Sequence, residues 1–190
     1  MAELLASEAE LNARREGIPR LLKTLVPDVP WIGGAFDHLG AHEWVIALRQ
    51  GPCDMPYDRW RVSSKEKGIA LAYYEVWKYV GNAFRSKKRG AKERIGKYVL
   101  TKAYLHLYRP VSGDAEEELI FMHCDPLDES RYKVAPHVHF EVAGYPWRKA
   151  HIALCDGWQN EVLRNLECLD AAIGRAVDMI AKEFIPLLNE

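Results

Sequence analysis

The sequence has no apolar run approaching the roughly 18 residues that a membrane-spanning helix needs, so no helical span is expected. It has no closely spaced pair of cysteines. Cys53, Cys124, Cys155 and Cys168 are scattered, and in a chain of 190 residues they read as reduced thiols in a reducing compartment. It has no excess of either charge. The 26 lysines and arginines meet 27 aspartates and glutamates, which excludes a protein that coats nucleic acid through bulk charge but leaves room for a local basic patch. Internal repeats and low-complexity tracts are missing as well. The opening stretch MAELLASEAELNARREG is amphipathic and acidic, unlike the basic-then-apolar order of a signal peptide. A cytoplasmic protein with no membrane partner is the expectation.

What is present is ordinary core material. Hydrophobic residues make up 48% of the chain, enough for one compact domain over residues 1–190 that needs no disulfide staples. Residues 3–16 read as a helix ending near Gly17, and Pro19 opens a second short helical turn carrying Ile18, Leu21, Leu22 and Leu25. This helical extension, residues 1–27, is expected at the sheet edge or on a partner. Within 31–50, a glycine-rich stretch is followed by EWVIALR, a strand pattern.

Two further helices are expected. Ser63 and Glu66 have capping-box spacing, and Ile69, Tyr73, Val76, Trp77, Val80 and Phe84 follow at a period near 3.6, which predicts a helix over 63–84. Asp156 and Gln159 repeat that capping geometry. Val162, Leu166, Leu169, Ile173, Val177, Ile180 and Phe184 then form an apolar stripe closed by Pro186, predicting a C-terminal helix over 157–185.

Between these helices the period changes to 2. Four segments over 99–155 each alternate an apolar set with a mixed one: Ala103, Leu105, Leu107; Ile120, Met122, Cys124; Val138, Phe140, Val142; and Ala150, Ile152, Leu154. The phase has a consequence for chemistry. If the apolar sets pack on the helices, then His106, His123, His137, His139 and His151 all occupy the reverse face. Those are five of the chain's seven histidines. In an antiparallel hairpin His139 should lie opposite His151 or Ala153.

Three readings of that face follow. His137, His139 and His151 supply three nitrogen ligands for a divalent metal such as zinc, leaving a fourth position for water, with Glu141 or Asp125 as fourth ligand or general base. In the catalytic version His137, His139 and Glu141 act on a phosphodiester, with or without the metal. Otherwise the face is a ligand or partner surface, or its histidines are structural, packed with Tyr104, Tyr108 and Phe121.

Other candidates are more local. The run RSKKRGAKERIGK over 85–97 holds seven basic residues and one acid. Lys87, Lys88, Arg89, Lys92 and Arg94 are its candidate phosphate contacts, although basic loops after helices are often simply solvated. Cys155, beside a helix start and in phase with His151, reads as a nucleophile or as a small buried hydrophobe. His38 and His42 are spaced i, i+4, but without a helical pattern around them.

The stretch from Tyr98 to Trp158 resembles a group of uncharacterised bacterial proteins that carry a PH-x-H strand followed by a KAHI-x-L strand. Here these are Pro136-His137-Val138-His139 and Lys149-Ala150-His151-Ile152-Ala153-Leu154. The resemblance covers about a third of the chain. It implies a component of a defence island or toxin–antitoxin locus, with a protein partner within a multi-gene system, and it brings no catalytic residue. The order of helix, meander, histidine segment, Cys155 and Trp158 is also similar to ubiquitin-conjugating enzymes. The family's His-Pro-Asn triplet is missing, and the residue before Cys155 is Leu154, so only a degenerate scaffold of that shape is implied.

The expectation is therefore an α+β fold, an antiparallel sheet of four or five strands with helices packed on one face. The expected function is a small cytosolic component of a bacterial defence or toxin-type system. Its histidine face binds a metal or a phosphate-bearing ligand and, if catalytic, hydrolyses nucleic acid or a nucleotide. The alternative is a non-catalytic subunit that binds protein or nucleic acid.

Overall fold

A computed structural model of the chain describes residues 3–27, 34–38, 42–48, 61–64, 68–86, 92–110, 116–127, 136–140, 150–154 and 165–187. Its centre is the hairpin of β5 (Ile69–Ser86) and β6 (Lys92–Pro110), strands of 18 and 19 residues. On one side β5 pairs with β3 (Glu43–Ala47), which pairs with β2 (Gly34–His38). On the other, β6 is followed by β7 (Glu116–Cys124), β8 (His137–Phe140) and β9 (Ala150–Ala153). Two short strands complete the sheet: β1 (Leu5–Ser7) pairs with β6 and β4 (Val62–Ser64) with β5. Every one of these pairings is antiparallel.

The fold is α+β as expected, with a larger sheet. The expected helix over 63–84 is a strand pair instead. Ser63 lies in β4 and Ile69–Ser86 form β5, while Glu66 is outside the described residues. The reason is burial on both faces. All nine residues from Ile69 to Trp77 are buried, so no polar–apolar alternation marks the strand, and the apolar positions happen to match a helical period.

The helix layer comes from elsewhere. Helix α1 (Glu8–Leu22) runs unbroken through Gly17 and Pro19, rather than ending near Gly17, and it packs on the sheet face rather than at an edge. Ser7 accepts from the Glu10 backbone N–H while the Glu10 carboxylate accepts from Ser7 N–H, a reciprocal cap at its start. Helix α2 (Leu166–Met179) starts at Asn165, which is extended and whose side chain accepts from Cys168 N–H, while the expected start at 157 lies outside the described residues. Asp156, Gln159 and Val162 lie outside the described residues. After Met179 the chain widens into a π-helical turn (Ile180–Phe184) and a last helical turn (Ile185–Leu187) that contains Pro186.

One core joins helices and sheet. Leu11, Ile18 and Leu22 of α1 and Leu169, Ile173 and Val177 of α2 pack with Leu71, Trp77, Leu105, Leu107, Met122 and Val138. Fully burying each such side chain contributes roughly 1.5–3 kcal/mol, which explains why a proline-containing α1 holds together. The expected phase is correct for β6 and β7, whose apolar sets face this core, and for Val138 of β8.

Candidate functional site

With one face of the meander committed to the helices, the period of 2 carries the remaining residues to the other. Strand register then lines them up in rows. Tyr104 is opposite His123, and His123 is opposite His137. His106 is opposite Phe121, Phe121 opposite His139, and His139 opposite His151. Of the two registers open to the last hairpin, the chain adopts the one that pairs the two histidines.

The rings along these rows touch. Tyr104 and His123 stack with centroids 4.1 Å apart, and Phe121 stacks on His139 at 4.5 Å. His137 and His139 are 4.5 Å apart, His123 and His139 5.1 Å, and His106 and His123 5.5 Å. His106 also stacks between Tyr74 and Tyr108, at 6.1 and 5.9 Å. Four imidazoles and three tyrosines thus form one continuous array. Its burial is graded: His137 and His139 are only 3% and 7% exposed, whereas His106, His123, Tyr104 and Tyr108 are half-buried.

Polar partners rim the array. Tyr104 donates to Asp125 at 2.5 Å, and Glu118 pairs with His106 Nδ1. Burial pushes the Glu118 carboxyl up, but the bonds from His106 and Tyr108 and the nearby Arg61 outweigh it and hold the group below its ordinary range. The Arg61 guanidinium lies 4.2 Å over the Tyr108 ring and donates to the Tyr108 hydroxyl at 3.1 Å. His106 Nε2 is buried without a hydrogen-bond partner among the described residues. The face therefore joins titratable rings, a fixed cation and two carboxylates.

The candidate residues from sequence divide as follows. His137 and His139 are brought together, and His151 is placed opposite His139 by register, although its side chain is outside the description, as is the whole of Glu141. Among the described residues no group of three or more His, Cys, Asp or Glu is arranged to hold a metal ion. Lys92 and Arg94 lie in β6, opposite Ser86 and Phe84, with their side chains outside the description. Lys87, Lys88, Arg89, Cys53 and Cys155 are outside the described residues. His38 lies in β2 opposite Glu43, and His42, just before β3, takes a positive φ of 52°.

Sequence reasoning missed a second cluster, on the helix side. Glu75 is fully buried and accepts from Arg14 Nε, from Trp77 Nε1 at 2.9 Å and from the Tyr73 hydroxyl. Arg14 also pairs with Asp170 of α2. Burial, followed by the Glu75 carboxylate, pushes the Tyr73 hydroxyl well above its ordinary range. For Arg14 burial favours the neutral form, yet Glu75, Tyr73 and Asp170 together outweigh it and hold the guanidinium charged. A cavity of 510 Å³ between α1 and α2 is lined by Arg14, Asp170, Glu10, Arg20 and apolar neighbours. The signal available in the sequence was an acid inside the run YYEVW, in phase with Tyr73 and Trp77 once the segment is read as a strand. Each buried charge here has a partner, so the cluster reads as a structural tie between helices and sheet.

No helix among the described residues is long and apolar enough to cross a membrane. Comparison with protein families, curated proteins and solved structures gives no match, so the reading of the imidazole face rests on its own geometry and chemistry.

Proposed function

We propose that the imidazole–tyrosine face binds a phosphate-bearing ligand, a nucleotide or a nucleic-acid strand, and that the chain is a small component of a bacterial defence or toxin-type system. The array of His106, His123, His137 and His139, with successive ring centroids 4.5–5.5 Å apart, carries this reading. Imidazoles change charge near neutral pH, so a row of them offers donors to phosphate oxygens when protonated and a base when neutral. Tyr104 and Tyr108 are half-buried and present aromatic surface on which a base stacks, a contact worth about 1–3 kcal/mol per base. Arg61 beside Tyr108 adds a guanidinium cation.

If the face is catalytic, two neighbouring imidazoles perform general acid–base hydrolysis of a phosphodiester. One takes a proton from the attacking oxygen while the other gives a proton to the leaving oxygen. His137 and His139 are the pair of choice, with Glu141 as a further base. The opposition of His139 and His151 favours a second version in which His137, His139 and His151 hold a zinc ion. The context of a defence or toxin system rests on the resemblance of Tyr98–Trp158 and implies a protein partner.

The test is binding of ADP and of a short single-stranded oligonucleotide between pH 5.5 and 8, followed by tyrosine fluorescence. Affinity should tighten as pH falls and should drop at least tenfold in a folded His123→Gln, His139→Gln variant. Equal affinity in variant and parent would leave the histidines a structural role. Metal analysis with chelator-dependent melting separates the zinc version, which predicts bound metal and a lowered melting temperature on chelation.

A further inference from the structure

The β5–β6 hairpin outruns the sheet that it centres. Pairing of β3 with β5 ends at Lys78, β1 reaches β6 only as far as Lys97, and β7 meets β6 from Ala103 onward. Beyond those limits, Asn82↔Gly96 through Ser86↔Lys92 are paired with each other, and among the described residues no other strand joins them. Five residue pairs at about 3.3 Å each make a two-stranded ribbon about 17 Å long.

This ribbon coincides with the most basic run in the sequence. Residues 85–97 hold seven lysines and arginines against one acid, while the whole chain has 26 against 27, so the remainder is net acidic. A polyanion approaching the protein is therefore steered to the ribbon and repelled elsewhere. Register sorts the charges further. Asn82, Phe84, Ser86, Lys92, Arg94 and Gly96 fall on one face of the ladder, and the single acid, Glu93, falls on the other, opposite Arg85. The face with Lys92 and Arg94 thus has no acidic position. At the root, the register shifts between Tyr79 and Gly81, and Gly81 takes a φ of 120°. Such a bulge bends a ribbon and fixes its direction relative to the sheet.

We infer that this ribbon enters the major groove of duplex DNA, with the Lys92–Arg94 face toward the groove. The dimensions agree: two strands about 4.8 Å apart fit a groove about 12 Å wide, and the ribbon's length exceeds the groove's depth of about 8.5 Å. The deep, narrow major groove of RNA helices does not admit it. This site is separate from the imidazole face and does not depend on that reading.

The experiment is fluorescence anisotropy of the full chain with a labelled 20-base-pair DNA duplex, a matched RNA duplex and vesicles containing phosphatidylserine, at several salt concentrations. With about four phosphates neutralised, affinity for DNA should fall about 150-fold between 50 and 200 mM salt. A Lys92→Ser, Arg94→Ser variant with unchanged melting should lose about half of the logarithmic salt slope, and bound protein should shield guanine N7 in the major groove from methylation. Arg85→Lys, which keeps the charge, should bind as the parent does. A salt-independent response, equal slopes in variant and parent, tighter binding to RNA or vesicles, or unshielded N7 would each overturn the inference.

Discussion

Arg14, on the first helix, donates through Nε to both carboxylate oxygens of Glu75 in the central strand, at 2.9 and 2.7 Å. The pair lies inside the core, with both side chains almost wholly buried. Taking two charges out of water is costly, and the mutual attraction repays that cost only while both partners are present. Arg14→Ala should therefore destabilise the protein by about 3–5 kcal/mol, because it leaves the Glu75 carboxylate buried without its cation. Replacing both, as Arg14→Met with Glu75→Leu, should recover most of that loss. Urea denaturation of the four proteins in the cycle checks this. A single Arg14→Ala variant within 1 kcal/mol of the parent would show that the pair does not fasten α1 to the sheet. Asp170, the exposed third partner, should matter far less, with Asp170→Asn costing about 0–1 kcal/mol.

Acid sensitivity should reside partly in Glu118. Its folded-state carboxyl is held below the ordinary range by His106, Tyr108 and Arg61, which outweigh its burial. A depressed folded value means that the native state favours the charged form. The resulting stabilisation is complete above the carboxyl's unfolded value, near pH 4.3, and is lost as pH falls through the lower folded value. Glu118→Gln should flatten the stability curve below about pH 4.5 and leave its slope near pH 7 unchanged. Melting temperatures of parent and variant from pH 3 to 8 test this, and parallel curves on the acid side would refute it.

The parts of the fold that the sequence made legible share one property: each has one buried face and one wetter face. Strands β6, β7 and β8 alternate because helices cover only one side of them, and the shared face of His106, His123, His137 and His139 follows from that alternation alone. Strand β5 hid because it is covered on both sides. Ala70, Ala72, Tyr74 and Val76 are as buried as Leu71, Tyr73 and Trp77, so its period of 2 is erased and an accidental helical spacing remains. The Arg14–Glu75 tie was invisible for a related reason. It links residues 61 positions apart, and Glu75 is conspicuous only once its strand phase is known. Propensity also misplaced the break in α1. Gly17 and Pro19 argue for an interruption, and packing of Leu11, Ile18 and Leu22 against the core overrides them.

The bulge at the root of the basic ribbon depends on a single backbone conformation. Gly81 sits at a φ of 120°, a region that residues with a Cβ rarely enter, and an added Cβ would meet nothing within 4 Å. The obstacle to substitution is therefore backbone strain rather than crowding. Gly81→Ala should cost about 1–3 kcal/mol, and the strain should be relieved by moving the ribbon rather than the sheet. Amide exchange will distinguish these. Faster exchange confined to 81–97 is the expected pattern, whereas uniform acceleration through β5 and β6 would show that the bulge supports the whole hairpin.

Register also makes a prediction at the far edge. Ile152 of β9 lies opposite Val138 of β8, on the face that the helices cover, yet Ile152 is 46% exposed while Val138 is fully buried. Among the described residues the helix layer therefore stops short of Ile152, and an identical sequence pattern has different energetic weight on adjacent strands. Val138→Ala removes two buried methyl groups and should cost about 2 kcal/mol or more, since the cavity left behind adds to the lost burial. Ile152→Thr should cost less than about 1 kcal/mol and should raise solubility, because an exposed apolar edge strand invites pairing with another chain. Ile152→Lys tests the same point more severely, placing a charge at the edge position where natural sheets often carry one. Comparable losses from Val138→Ala and Ile152→Thr would mean that the edge is covered in solution, and light scattering would show whether a second copy of the chain covers it.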